Sequence, residues 1–298
     1  MNTLLILIKR NVKLFFKDKG MFFTSLITPM ILLVLYATFL SNVYKDSFTA
    51  GLPEGLIIKE ELIDALVGGQ LTSSILAVSC VTVAFCSNFL MVQDRANGAS
   101  RDLFISPVKS SVLSVSYYLS TLISTLIICF SATALCLVYQ AIIGWYLSAL
   151  DVVLILIDVI FLVLFGTALS SIINFFLSSQ GQISAVGSIV SAGYGFICGA
   201  YMPLSSFGTG LQKAVLFLPG TYGTSLLRNH ALRGVFEEMN STGIPVEVTD
   251  SMASVVDCKL GFGDYTFTEP VMFLILIGSA ILLLGTYIAI NFFHKKIK

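Results

Sequence analysis

Residues 151–177, with the sequence DVVLILIDVIFLVLFGTALSSIINFFL, decide the fold class of this chain. After Asp151, this stretch contains one ionisable side chain, Asp158. A hydrocarbon core about 30 Å thick is crossed by a helix of about 20 apolar residues, so the stretch is long enough to span a membrane. Its apolar and polar residues do not alternate, which favours a helix over a strand of a membrane barrel.

The whole chain has the same apolar character. Of its 298 residues, 56% are hydrophobic and 11% are charged, whereas a typical soluble domain has about 25% charged residues. In lipid, every backbone N–H and C=O must find a partner within the protein, which helices achieve locally. The composition therefore predicts an all-α integral membrane protein.

Hydropathy predicts a single transmembrane domain over residues 1–298, with six membrane-spanning helices. The spans are expected at about residues 21–40, 72–92, 112–143, 151–177, 183–202 and 270–293. The fifth is rich in Gly, Ala and Ser. Between the spans, a short surface helix is expected within residues 56–67, and residues 203–269 form a long segment that we expect to be extracellular.

The distribution of Lys and Arg predicts the orientation. Eleven of the 17 Lys and Arg lie in the N-terminal segment, in the loop after the second span or in the C-terminal tail. Cytoplasmic loops carry an excess of basic residues. We therefore expect a multi-pass protein of the cell membrane with both termini in the cytoplasm.

Residues 1–19 precede the first span and are predicted to form an interface helix. Their basic residues fall within an arc of about 100° on a helical wheel: Lys9, Arg10, Lys13 and Lys17. This pattern is typical of an amphipathic helix that lies in the membrane interface, next to lipid head groups or a partner. The alternative is a basic flank that only sets the topology, and we favour the helix because the pattern persists over four turns.

The loop at residues 93–110 is the one sizeable segment predicted between spans on the cytoplasmic side. It carries charges of both signs around an apolar cluster, Leu103, Phe104 and Ile105. Apolar anchors with a charged rim are typical of a docking surface. An ordinary solvated turn is the alternative.

Ionisable residues within the spans are nearly absent, and Asp158 is the exception. A carboxylate at that depth costs a few kcal/mol unless it meets water or a partner. It is either a residue of a cavity or an interfacial acid that water reaches, and the sequence favours neither. His230 is predicted to be a surface or packing residue, because no acid accompanies it at a motif spacing.

Motifs for catalysis are absent from the sequence. It has no G-x-x-x-x-G-K-[ST], H-E-x-x-H or G-x-S-x-G pattern. Its six Cys form no C-x-x-C pair, so neither a zinc site nor a disulfide framework is indicated. No nucleic-acid partner is expected. We therefore expect a transport subunit rather than an enzyme. A secondary, ion-coupled carrier and a lipid-modifying membrane enzyme are the alternatives.

The order of these parts resembles the ABC-2 family of ABC-exporter permeases, and the likeness covers nearly the whole chain. The loop after the second span has the family's pattern at Asp94, Arg95, Gly98, Arg101, Leu103 and Pro107. Between the fifth and sixth spans, three stretches are similar to the family: residues 199–204 (GAYMPL), 218–222 (LPGTY) and 226–228 (LLR). The segment after about Glu237 exceeds the usual family pattern.

The resemblance implies a type V exporter-like architecture, in which two permease subunits, identical or homologous, stand on two ABC ATPase subunits. The ATPases would bind ATP and Mg, and this chain would hold no cofactor or metal of its own. A coupling helix would transmit their motion through Asp94, Arg95, Gly98, Arg101, Asp102, Leu103, Phe104 and Pro107. An amphipathic or lipid-like substrate would leave the cytoplasm along a path that includes Asp158, Ser188, Ser191, Tyr194 and Phe196.

Overall fold

The computed structural model describes residues 2–50, 58–106, 108–262 and 265–297. The predicted coupling residue Pro107 lies outside the described residues. The side chains of Phe104 and of residues 293–297 are likewise not described.

Helices make up nearly all of the described chain, in the order α1 Asn2–Lys17, α2 Lys19–Leu35, α3 Ser41–Ala50, α4 Glu60–Ala96, α5 Ala99–Ile105, α6 Ser110–Ile143, α7 Ala149–Phe175, α8 Gln180–Ile197, α9 Thr209–Leu216, α10 Pro219–Ser241, α11 Val246–Val255 and α12 Glu269–Ile297. A π-helical turn, Tyr36–Leu40, joins α2 to α3, and a 3₁₀ turn, Leu204–Ser206, precedes α9. A two-residue antiparallel hairpin pairs β1 (Gly261–Phe262) with β2 (Tyr265–Thr266) before α12. The prediction of an all-α membrane fold is confirmed.

Local sequence explains where several helices begin. At the start of α2, the Asp18 side chain accepts a hydrogen bond from the backbone N–H of Met21. Ser148 and Asp151 form a reciprocal capping box at the start of α7, and Ser179 and Gln182 form another at α8. Each box satisfies backbone N–H groups that have no partner within the helix.

Five helical segments of the described chain are long and apolar enough to cross a membrane: Lys19–Asp46, Glu60–Ala96, Ser110–Ile143, Ala149–Phe175 and Glu269–Phe292. They correspond to the predicted first, second, third, fourth and sixth spans. The predicted fifth span, residues 183–202, falls on α8 and is not among them. At 18 residues, α8 is about 27 Å long, so a sixth crossing stays a prediction.

The centre of the bundle is α4, whose side chains at 65–92 are all buried. It packs against α2, α6, α7, α8 and α10. Small residues permit these close approaches: a Cβ on Gly166 of α7 would stand 2.8 Å from the carbonyl oxygen of Cys80. In lipid, helices gain little from the hydrophobic effect when they associate, because lipid tails are as apolar as their side chains. Small residues that permit close van der Waals packing stabilise their association instead.

The prediction of a separate surface helix within residues 56–67 is wrong. Residues 60–71 are the first three turns of α4, and from Leu62 onward all of them except Asp64 are buried. They pack against α10, where a Cβ on Gly69 would clash with Leu232. Tertiary packing explains the error, since these turns are buried by a helix that follows them by about 150 residues.

The predicted extracellular segment, residues 203–269, contains more buried structure than its polar sequence suggested. Its helix α10 packs against α4 and α7, and its side chains at 220–228 are all buried. The chain enters this segment through Gly199, whose φ of 74° lies in the left-handed region that glycine adopts readily.

Candidate functional site

The short helix α5 lies between the ends of α4 and α6. The turn that leads into it is made by Gly98, whose φ is 80°. Leu103 is half-buried and packs on a small cluster formed by α1, α4 and α6: Leu7, Met91, Leu113 and Tyr117. Ile105 is 84% exposed, and Arg101 and Asp102 are exposed beside it. The helix is therefore fixed to the bundle through Leu103 and presents Ile105 outward.

Asp94, the last buried residue of α4, holds three helices together. Its carboxylate accepts two hydrogen bonds from the Arg10 guanidinium of α1, at 2.6 and 3.1 Å. It accepts a third from the Tyr117 hydroxyl of α6, at 2.6 Å. The hydrogen bond to Asp94 raises the pKa of Arg10. We call Arg10, Asp94 and Tyr117 the inner clamp.

Arg95 anchors the end of another span. Its guanidinium donates to the backbone carbonyls of Asn174, Phe175 and Leu177, at 3.4, 2.6 and 3.2 Å. The first two carbonyls belong to the last turn of α7 and the third lies just after it, where a helix has no partners of its own for its C=O groups. Arg95 therefore ties the end of α4 to the end of α7, as Asp94 ties it to α1.

The predicted basic face of α1 divides in two. Lys9, Lys13 and Lys17 are exposed, whereas Arg10 turns inward to Asp94. Part of the apolar surface of α1 is also covered by protein, since Leu7 and Phe15 are buried. Placement of α1 in the membrane interface stays a prediction.

Two of the predicted path residues line a cleft of about 490 Å³ between α2, α4 and α8. Its lining includes Ser188 and Ser191 from α8, Thr24 from α2, and Phe89 and Gln93 from α4. We call it the inner cleft. Apart from Ile183 and Gly195, the residues of α8 are exposed or half-buried.

Tyr194 and Phe196 do not line the inner cleft. Tyr194 lies against α10 at Gly220, where a Cβ would clash with its hydroxyl. Phe196 is 47% exposed and packs edge-on against Tyr201, with ring centroids 5.0 Å apart.

Asp158 lies neither in a cavity nor at an interface that water reaches, the two environments that the sequence left open. It is fully buried, and its Oδ2 is 2.6 Å from Nδ1 of His230 on α10. Of the two expectations for His230, a surface or a packing residue, the structure shows a buried, packed residue, and it adds an acid partner that the sequence did not indicate. The two residues are 72 positions apart, so no local motif could indicate the pair.

Asp158 and His230 belong to a larger set that joins α7, α10 and α12. Nε2 of His230 is 3.6 Å from Glu269 at the start of α12. Arg233, one turn along α10, reaches both Asp151 and Glu269 at 3.2 Å. We call these residues the outer charge network: Asp151, Asp158, His230, Arg233 and Glu269. The sequence contained one indication of this network. Asp151 and Asp158 share one face of α7, and His230 and Arg233 share one face of α10, so each helix presents a charged stripe.

A second buried pair ties the end of α8 to the segment after α11. Arg228 is 1% exposed and donates to Asp257 at 3.0 Å and to the carbonyl of Gly199 at 2.6 Å. Asp257, in turn, accepts the backbone N–H of Leu204 at 2.9 Å. A buried carboxylate with a charged partner and backbone donors is well compensated. The pair therefore fixes the turn that follows α8.

These features define a class: a multi-pass α-helical membrane protein with a short helix held at one end of its spans. The sequence also matches the family model described as ABC-2 type transporter over residues 2–231. The chain therefore belongs to the ABC-2 type transporter family and is a membrane-spanning permease subunit of an ABC transporter. Permeases of this family normally partner with an ABC ATPase. No curated protein sequence matches the chain closely.

Proposed function

We propose that this chain is the permease of an ATP-driven exporter that moves an amphipathic or lipid-like substrate out of the cytoplasm. Two ATPase subunits would bind ATP and Mg and dock on the face that carries α5, and a second permease, identical or homologous, would complete the path. The protein would reside in the plasma membrane with both termini in the cytoplasm and lipid around its spans. It would catalyse no reaction of its own.

The position of α5 carries this proposal. Its exposed tip, Ile105, is a large apolar side chain at 84% exposure, with exposed Arg101 and Asp102 on the same short helix. Buried apolar anchors with a charged rim give protein interfaces their affinity and register. Because Asp94 and Arg95 are engaged within the chain, they would transmit force rather than contact the ATPase.

The inner cleft supports the path of the substrate. It combines the hydroxyls of Ser188 and Ser191 with the apolar surface of Phe89, which suits a molecule with both polar and apolar parts. Its other wall, α2, presents large apolar residues outward: Phe23, Ile27, Met30 and Ile31. A second permease that faced α2 and α8 would close this cleft into a passage.

The docking proposal is tested by co-expression with the ATPase and co-purification from membranes. Ile105→Ser should reduce the ATPase recovered with the permease, because the central apolar anchor is lost. The matched control is Ile142→Ser, at a residue that is 79% exposed near the opposite end of α6. Equal ATPase recovery for the two variants would contradict docking at α5.

The path is tested with the assembled transporter in vesicles, using efflux of a fluorescent lysophospholipid as the amphiphilic probe. Ser188→Phe fills the inner cleft and should slow efflux while the ATPase stays bound. Ala185→Phe, at an exposed position of the same helix outside the lining, is the control. If both variants transport equally well, the path does not pass through the inner cleft.

One observation favours a second function, the ion-coupled carrier. The buried Asp158–His230 pair, with Glu269 at its far side, is the kind of ionisable chain that proton relays use. A carrier would work without an ATPase and stop when a protonophore collapses the proton gradient. ATP-dependent transport that persists with a protonophore would exclude it.

A further inference from the structure

The segment after α8 divides into two halves of opposite character. Residues 159–227 contain one charged side chain, Lys213, whereas residues 228–269 contain ten. A protein surface in water normally carries many charges of both signs. The half that precedes Arg228, which includes α9 and the start of α10, is therefore too poor in charge for a solvated loop.

Contacts between α10 and α7 give the depth of the start of α10. The two helices run antiparallel: a Cβ on Gly234 would clash with the carbonyl of Tyr146, just before α7, and a Cβ on Gly223 would clash with Leu162. Leu162 lies about 20 Å along the 27 residues of α7, which are about 40 Å long in total. A hydrocarbon core about 30 Å thick that α7 crosses completely includes Leu162 wherever the core is placed along α7. Gly223 lies at the same depth.

The end of α9 has partners of the kind that backbone needs where water is absent. Thr221 of α10 donates a hydrogen bond to the carbonyl of Val215 at 3.0 Å. Its neighbour Tyr222 donates to the carbonyl of Leu216 at 2.7 Å. Carbonyls at a helix end have no partner within the helix, and backbone that turns inside a membrane must find its partners in the protein. The two hydroxyls supply them.

Three aromatic side chains at this depth are exposed. Phe217, which follows α9, is 77% exposed, and Phe262 and Tyr265 of the hairpin are 43% and 54% exposed. We call these three residues the aromatic patch. Phe217 and Phe262 pack edge-on, with ring centroids 5.9 Å apart. Phe267 packs against both Tyr265 and Tyr222, at 5.2 Å in each pair, so the patch is tied to the inserted end of α10.

We propose that the aromatic patch contacts the acyl chains of the lipid leaflet at the end of the bundle opposite α5. Residues 209–222 are then a re-entrant part of the membrane domain, and the charged half with α11 stands in water. Lys213, exposed on α9, has a long apolar stem that lets its ammonium reach the phosphate groups. The proposal does not rest on the transport function.

Continuity with α12 favours lipid over a second copy of the chain as the occupant. The hairpin ends at Thr266, and α12 begins at Glu269. This span carries exposed large apolar side chains along its length: Leu274, Ile281 and Leu282. The aromatic patch therefore extends a surface that a membrane covers with lipid. Tyr265 suits its edge, because tyrosine is enriched where acyl chains meet head groups.

The test uses the full chain in phosphatidylcholine vesicles whose acyl chains carry bromine, which quenches tryptophan fluorescence on contact. Trp145 is the one tryptophan of the chain, so Trp145→Phe gives a background without tryptophan. In this background, Phe217→Trp should lose roughly half of its emission relative to vesicles without bromine, because apolar groups about 5–10 Å into a leaflet already meet the acyl chains. Tyr265→Trp should behave in the same way and serves as the probe if Phe217→Trp does not fold.

The matched control is Val246→Trp, at a residue that is 57% exposed at the start of α11. In the same helix, Thr249 donates to Asn240, which lies further along α10 than Gly234. We expect acrylamide in the water to quench this variant and brominated lipid to leave it unchanged. Equal quenching of the patch and control variants by brominated lipid would overturn the proposal. Quenching of the patch variants by acrylamide alone would assign the patch to water, and protection from both quenchers would assign it to a second copy, so either result would overturn the proposal too.

Discussion

The Arg10–Asp94 pair of the inner clamp and the Asp158–His230 pair of the outer charge network have the same separation of 2.6 Å, but they differ in burial. The Arg10 side chain is 32% exposed, whereas both members of the outer pair are at 1% or less. A guanidinium that is partly in solvent can exchange its partner for water at a lower cost than a member of a fully buried pair. The end of the bundle next to α5 is therefore expected to rearrange more easily, which is consistent with the docking that we propose there.

The largest effect is expected when the outer pair is broken. Asp158→Leu leaves His230 buried without its main partner and should destabilise the protein by about 3–5 kcal/mol. The double change Asp158→Leu with His230→Leu should recover much of this loss, because it removes both polar groups together. Thermal unfolding of the purified protein in detergent measures both. A single variant as stable as the double one would show that the pair is not the main contact.

The outer pair should also respond to alkaline pH. Burial opposes the charged imidazolium, but the hydrogen bonds and the charges of Asp158 and Glu269 outweigh it and raise the pKa of His230 to about 9. A raised pKa gives stability that is complete below the unfolded value of about 6.5 and is lost as the pH rises through about 9. The stability advantage of the wild type over His230→Gln should therefore shrink, by at most about 3 kcal/mol, between neutral pH and pH values above about 9. An advantage that stays constant over this range would mean that His230 is neutral throughout.

A smaller effect is expected at the inner clamp. Arg10→Met keeps the apolar stem and removes the charge, and it should cost about 1 kcal/mol or less because the guanidinium is partly in solvent. Lys9→Met, at the exposed neighbouring position, is the matched control and should have no effect. Unfolding by denaturant resolves the two. If Arg10→Met costs as much as Asp158→Leu, the contrast between the two ends is wrong.

The smallest effect on stability is expected at α5. Ile105→Ser changes a side chain that is 84% exposed, so stability should stay within about 0.5 kcal/mol of the wild type. Leu103→Ser, on the same helix but packed against the Leu7–Met91 cluster, should be more destabilising. The comparison separates the residue that anchors α5 from the residue that we propose contacts the ATPase. Equal losses in the two variants would remove that distinction.

The sequence predicted the class of fold because hydropathy acts locally. An apolar run that forms about 30 Å of helix is long enough to cross the hydrocarbon core, and a helix satisfies its own backbone hydrogen bonds there. Five of the six predicted spans are helices of this length and apolar character. The remaining one, the predicted fifth span, corresponds to α8, which has many small residues and few large apolar ones. Hydropathy alone therefore does not decide whether α8 crosses the membrane.

The sequence also indicated the importance of the loop after α4, but not the role of each residue in it. Asp94, Arg95 and Leu103 were expected at a docking surface, and the structure turns them toward α1, α7 and the cluster under α5. Charged residues near a helix end have the same appearance in sequence whether they face a partner or the chain itself. Only the position of neighbouring helices distinguishes the two.

By itself, the sequence determined that this protein is a multi-pass α-helical membrane protein of the ABC-2 type, and it located the five segments that are long and apolar enough to span. The tertiary structure decided which polar residues meet: Asp158 with His230, Arg10 with Asp94, and Arg228 with Asp257. The physical reason is the sequence separation over which each effect acts. Transfer of apolar residues into lipid is a property of each segment, whereas a buried charge needs a partner that the packing of distant helices brings within about 3 Å.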